Sequence, residues 1–280
     1  MYKNDDIEAD ASSKGKQLMY SVCIATIAFI VVVLAHQLLL GCMSLALDYN
    51  TTIAFDKVVS KPFTYQYWST NRVVFMYAFP SIFFLAVALL LMAFIMFESK
   101  RISHFYWFVF WCVVFMVWYI SAQFVLAPLG IIASKGSLYQ GITVLINWFG
   151  WGNAGLIASV AFGVLVNFIF GFLCFSLIIR FAITRSPLEH KTQLGGMIFS
   201  YFVLPVVLVL PVALLLSFPD SMVFFAVMFT QVLLWLPGLL IKAQYGFKVN
   251  ALPLGYSRRA ISYALLIVTI ILIVMVRIFL

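Results

Sequence analysis

The sequence predicts an all-α, polytopic transmembrane helical bundle of about seven spans, N-terminus in and C-terminus out, with a short interfacial helix before the fourth span. Three observations carry this expectation. Of 280 residues, 65% are hydrophobic and 9% charged, and the mean hydropathy is +1.11, far outside soluble composition. Apolar runs recur at about the 20 residues that a helix needs to cross a hydrocarbon core of roughly 30 Å. The 17 Lys and Arg fall mostly in the breaks between those runs, and unequally on alternate sides.

The runs, in order, are about 18–42, 73–97, 105–129, 153–179, 194–217, 221–241 and 260–280. Lipid offers the backbone no hydrogen bonds, and the runs are far longer than the alternating strands of a barrel, so each is read as a helix. Residues 1–17 mix Asp5, Asp6, Glu8 and Asp10 with three lysines and read as a disordered cytoplasmic tail. Residues 18–280 read as one transmembrane helical domain. The first run is too long for a signal-peptide core and is expected to be a retained anchor. Leu39-Leu40-Gly41-Cys42 resembles a lipoprotein cleavage box, but the acidic leader favours a cysteine at the end of a helix.

Lys and Arg resist translocation, which fixes the orientation. With the N-terminus inside, the inner segments hold twelve cations and the outer ones hold five: Lys57, Lys61, Arg72, Lys135 and Arg277. The net charge of +8 is thinly spread, with no basic stripe to follow phosphates, so no nucleic-acid partner is expected. The expected setting is a bacterial inner (plasma) membrane, multi-pass.

The fourth run carries the most specific pattern. Gly155, Ser159, Gly163, Asn167 and Gly171 recur at intervals of four, with Ala154, Ala158 and Ala161 close by. Small residues so spaced form a groove for close helix approach, and Asn167 adds a hydrogen-bonding group to that face. The groove is expected to serve packing within the chain, or else a homo-oligomer, a partner in a membrane complex, or a pore. Before it, Leu138, Ile142, Leu145, Ile146 and Phe149 repeat at helical spacing opposite Gln140, Thr143 and Asn147, so 138–149 is expected to be interfacial, with a re-entrant loop as the alternative.

The third run has nine aromatics between Phe105 and Tyr119, with Trp107, Trp111 and Phe115 four residues apart, read as a lipid-facing or helix-packing surface rather than a ligand stack. Gln123 is its deeper polar group. Phe63 to Trp68 reads as an interfacial aromatic belt. Pro205, Pro211 and Pro237 mark candidate hinges in the fifth and sixth runs, and Gln231 is a plausible interior polar contact.

Most membrane chemistries lack their residues here. Cys23, Cys42, Cys112 and Cys174 form no CxxC pair, and His36, His104 and His190 are too few for haem or di-iron ligation. No catalytic residues, cofactor or metal are expected. His36-Gln37-Leu38-Leu39-Leu40 and Asn250 to Gly255 resemble the HExxH and Asn-Pro-Gly elements of intramembrane zinc proteases. Gln37 replaces the glutamate and Leu40 the second histidine. His36 also lies about 27 Å from the helix start, on the opposite side from Asn250. His36 and Gln37 are therefore read as polar residues near the outer interface, bonded to a neighbouring helix or to water.

Scarce charge at depth turns the expectation from enzyme or ion pump toward a transport component, permease-like or channel-like, for a neutral or weakly polar solute. Its candidate path residues are Gln123, Ser159, Asn167 and Gln231. The alternative is a non-catalytic scaffold or assembly subunit of a larger membrane complex, and a third reading is a degenerate zinc-protease-like enzyme.

Overall fold

A computed structural model describes residues 3–55, 57–61, 68–97, 104–133, 141–183, 191–193, 202–217, 230, 248–250 and 259–279. Helix α1 (Lys3–Ala46) is followed by an antiparallel hairpin, β1 (Asn50–Ile53) and β2 (Val58–Lys61). Helices α2 (Thr70–Phe97), α3 (His104–Val125), α4 (Ala127–Ala133), α5 (Ile142–Trp148) and α6 (Gly152–Ile183) come next. Strand β3 (Lys191–Gln193), helix α7 (Leu204–Leu216), strand β4 (Lys248–Asn250) and helix α8 (Arg259–Phe279) complete the described elements. The chain is mostly helical, and four helical stretches are long and apolar enough to cross a membrane: Leu18–Ala46, Thr70–Phe97, Phe105–Val125 and Gly152–Leu177. The fifth and seventh runs are present in part as the shorter apolar helices Leu204–Leu216 and Tyr263–Phe279. The sixth run lies outside the described residues except for Thr230.

Three differences from the sequence reading have physical causes. The tail expected to be disordered continues α1 back to Lys3, because 3–17 holds no proline and places Asp5 and Asp6 in the first turn, which the helix dipole favours. The third run stops at Val125 rather than 129, because Pro128 cannot continue the α-helical hydrogen bonds; the chain turns at Leu126 and restarts as α4. The all-α expectation missed two short antiparallel strand pairs, the β1–β2 hairpin and the β3–β4 pair, whose strands are far apart in sequence. The first is built of β-branched Thr51, Thr52, Ile53, Val58 and Val59, with Asn50 opposite Lys61 and Ile53 opposite Val58.

That hairpin is pinned to the end of α1. The Ser44 carbonyl accepts from the N–H groups of Leu47 (3.2 Å) and Tyr49 (3.1 Å) while Asp48 takes a left-handed φ of 60°, so the helix closes in a tight turn. Ser44 Oγ then meets Thr51 Oγ1 at 2.5 Å and donates to Ser60 Oγ at 2.7 Å. Gly41 is buried beneath Ile53, whose side chain occupies the place a Cβ would need. Within the sequence Leu39 to Cys42, the glycine therefore has a packing role, and Cys42 is exposed beside it.

Helix α3 is the centre of the bundle: 72% of its most apolar stretch is buried, against 33% in α2 and 28% in α6. It packs on α1, α2 and α6, while α1 also meets α7 and α8. Its aromatics form the core rather than a lipid face. Trp107, Phe110, Trp111, Phe115 and Trp118 are each at most 1% exposed, and Phe29 and Phe202 pack edge-on or tilted among them. Helix α2 shows the opposite division. Val73, Met76, Pro80, Phe84, Ala88, Met92 and Ile95 turn inward at three- and four-residue steps, and Phe75, Phe79 and Phe83 stack along the outer face at 5.5 and 6.0 Å. Ser69 Oγ caps the start of α2, accepting from the Arg72 N–H at 3.4 Å.

Helix α5 covers only Ile142–Trp148 of the segment expected at 138–149; residues 134–140 lie outside the described ones. It is wedged among α2, α3, α4 and α6, so Thr143, expected on the polar side, is buried along with Leu145 and Ile146. Gly150 and Gly152, with φ of 64° and 55°, take the chain directly into α6.

Candidate functional site

Two polar faces of α3 organise the interior. Residues 119, 121 and 123 are Tyr, Ser and Gln; steps of four place Tyr119 and Gln123 on one face, and Ser121 turns away from both.

The Ser121 face meets α6. Ser121 Oγ donates to Asn167 Oδ1 at 3.0 Å, and Asn167 Nδ2 donates to the Gly163 carbonyl at 3.0 Å. One turn further on, Ser159 Oγ donates to the Phe124 carbonyl at 2.8 Å. Gly163 lies directly on α3: a Cβ there would come within 2.8–2.9 Å of Val125 Cγ2, Phe124 Cβ and the Ser121 carbonyl. Asn167 is fully enclosed, Ser159 and Gly171 are buried, and Gly155 sits higher, beside Trp151 and Ile146. The small-residue pattern thus brings Ser159, Gly163 and Asn167 together against one helix of the same chain. An apolar groove of about 420 Å³ continues from it, walled by Phe124, Ile146, Trp151 and Phe162 over Ala154 and Ala158.

The Tyr119 face meets α1 and α2. His36 is 3% exposed and lies between Phe84 and Tyr119, edge-on to both at 5.2 and 4.9 Å. Gln37 is fully buried and its Nε2 donates to Tyr119 Oη at 3.1 Å. His36 Nδ1 and Gln37 Oε1 are buried without a hydrogen-bond partner. Ten residues of helix separate His36 from Ala46, and ten separate Thr70 from Pro80, about 15 Å each at 1.5 Å per residue. His36 and Pro80 therefore lie at similar distances from the hairpin end of their helices.

Beside His36 is a cavity of about 30 Å³ lined by Met76, Pro80, Ser81, Gln123 and Gly141 among others. Pro80 has no N–H, so the Met76 carbonyl one turn back lacks its α-helical donor, and both residues line the cavity. Gly141 closes the other side. Its φ of 54° and the approach of Gln123 Oε1 to the place of its Cβ leave room for glycine alone. Among the described residues the lining carries hydroxyl, amide, imidazole and carbonyl groups and no Asp, Glu, Lys or Arg.

No protein-family model, curated protein or solved structure matches this chain. The site accordingly stands on its own geometry.

Of the other candidates named from sequence, Gln231 and Pro237 lie outside the described residues. Pro205 is in the first turn of α7, directly after the π-helical residues 202–203, and Pro211 is inside that helix. Among the described residues no group of three or more His, Cys, Asp or Glu is placed to hold a metal. Sequence reasoning missed Ser81, Ser121, Pro80 and Pro128. The available signal was a proline inside a run, which frees the carbonyl four residues earlier and calls for a donor from elsewhere.

Proposed function

We propose that the chain is an integral membrane transport component, permease-like or channel-like, passing a small neutral or weakly polar solute along the face that α3 shares with α1 and α2. The observation that carries this reading is His36: a buried imidazole with an unpartnered Nδ1, beside a polar cavity, deep in a helix long enough to span. Polar and ionisable groups are expensive at that depth and are functional by default. Gln123 belongs to this face; Ser159 and Asn167 are committed to α6 packing and serve the path only by holding α3.

In this reading the chain crosses seven times, N-in and C-out, in a bacterial inner membrane, with 1–17 in the cytoplasm. The antiparallel pairing of β3 with β4 supports that count. A chain that leaves one membrane face after α6 and returns to pair there before α8 has crossed an even number of times. The paired strands also bring Lys191 and Lys248 to one side, as the charge bias requires.

A scaffold or assembly role is favoured by a different observation. Helix α6 is the least buried of the four long apolar helices, and exposed Ala154, Ala158 and Ala161 flank its apolar groove, a surface suited to another helix. Purification in mild detergent followed by reconstitution separates the two. Solute flux by the purified chain in liposomes is the expected result; absence of flux together with a stoichiometric co-purifying membrane protein would replace transport with assembly.

A further inference from the structure

We propose that the cavity between His36, Ser81 and Gln123 is a binding site for one or two water-sized neutral molecules that both donate and accept hydrogen bonds, a class that includes water and ammonia. The assignment of this class as cargo rests on the transport reading, whereas the site itself does not.

Size sets the upper limit. A buried water needs about 10–15 Å³ of such volume and two to four polar partners. The cavity measures about 30 Å³, so it holds one or two such molecules and nothing the size of a sugar or amino acid.

Chemistry sets the class. Buried polar atoms are nearly always hydrogen-bonded, yet His36 Nδ1 has no partner within the protein. Pro80 withholds its helical donor from the Met76 carbonyl, and both residues line the cavity. The same device occurs in the bundle with its donor present: Pro128 leaves the Phe124 carbonyl free, and Ser159 Oγ fills the place at 2.8 Å. Ser81 and Gln123 offer both donors and acceptors, so a bound molecule needs both as well. Among the described residues the lining holds no charged side chain to serve an ion as counter-charge, which favours a neutral ligand.

Gly141 forms one wall of the site: a Cβ there would meet Gln123 Oε1, and its positive φ is a conformation that glycine readily adopts.

The test uses the full chain, labelled with ¹⁵N-histidine and reconstituted in lipid, and two readouts. Magic-angle-spinning NMR looks for transfer from water protons to His36 Nδ1, the signal being assigned by its loss in His36→Phe. Stopped-flow measurement on the same liposomes follows water permeability and, separately, ammonia entry reported by an internal pH dye. The expected result is a water contact at His36 that Ser81→Leu, which fills the cavity, abolishes. Permeability to water or to ammonia is expected to exceed that of protein-free liposomes and to fall at least fivefold in Ser81→Leu, the two fluxes distinguishing the two ligands. An unchanged thermal midpoint in Ser81→Leu excludes misfolding, and Gln123→Leu serves as the second variant if it does not. A dry His36 Nδ1 overturns the site whatever the flux. A hydrated His36 with neither flux overturns the cargo assignment and retains the site. Flux of larger neutral solutes alone overturns the cargo assignment while the transport reading stands.

Discussion

The hydroxyl of Ser159 donates at 2.8 Å to the carbonyl of Phe124, the carbonyl that Pro128 leaves without a helical donor. A proline that ends α3 and a serine thirty-one residues later on α6 thus form one structural unit. In hydrocarbon an unsatisfied carbonyl finds no water, so the break in α3 and the close approach of α6 depend on each other.

Ser159→Ala is expected to lower stability by about 0.6–1.7 kcal/mol, the range of hydrogen bonds between transmembrane helices. In a Pro128→Ala background, where the alanine supplies its own N–H to the Phe124 carbonyl, the same substitution is expected to cost much less. Denaturation of the four proteins in mixed micelles measures the coupling, and additive losses would show that the two residues act independently.

Gly163→Leu is expected to prevent assembly of the folded bundle, because even a Cβ would press on Phe124, Val125 and the Ser121 carbonyl, two of them backbone or Cβ atoms that cannot rotate away. Gly163→Ala is expected to cost about 1–3 kcal/mol as an overpacked contact. Size-exclusion profiles and thermal midpoints read both effects.

Asn167→Ala removes the acceptor of Ser121 Oγ and the donor to the Gly163 carbonyl. It is expected to lower the thermal midpoint and to leave the flux per folded molecule unchanged, since the side chain is enclosed between α3 and α6. A changed flux at unchanged stability would move the path to the α3–α6 seam.

The β1–β2 hairpin and the β3–β4 pair are expected on opposite membrane faces. In a Cys42→Ala background, Lys57→Cys beside β2 should react with an impermeant maleimide from outside, and Lys191→Cys on β3 only after permeabilisation. The remaining cysteines, 23, 112 and 174, are buried and silent. Labelling of both from one side would refute the odd number of crossings expected between β2 and β3.

How much of this was legible in the sequence follows from the range of each interaction. The four long helices were readable because hydropathy over 20 residues decides them without tertiary help. The pattern from Gly155 to Gly171 was readable as a contact face because spacing alone puts those residues on one side of a helix. Its partner was not, since nothing local to 155–171 names residues 118–125. The hairpin at 50–61 was missed because four-residue strands give too short an alternation, and what holds them is Ser44 and Gly41 on α1. His36 and Gln37 were visible but were placed at the interface from their position in the run. Only the packing of Phe84 and Tyr119 around His36 shows that this polar pair is enclosed.

The central claim is that a passage follows the α1–α2–α3 face at His36 and Gln123 rather than the α3–α6 seam. The most direct measurement is small-solute flux through liposomes holding equal amounts of folded wild type, Gln123→Leu and Ser159→Ala. A fall of at least tenfold in Gln123→Leu with wild-type flux in Ser159→Ala is the result predicted; flux that survives Gln123→Leu and disappears in Ser159→Ala would contradict it.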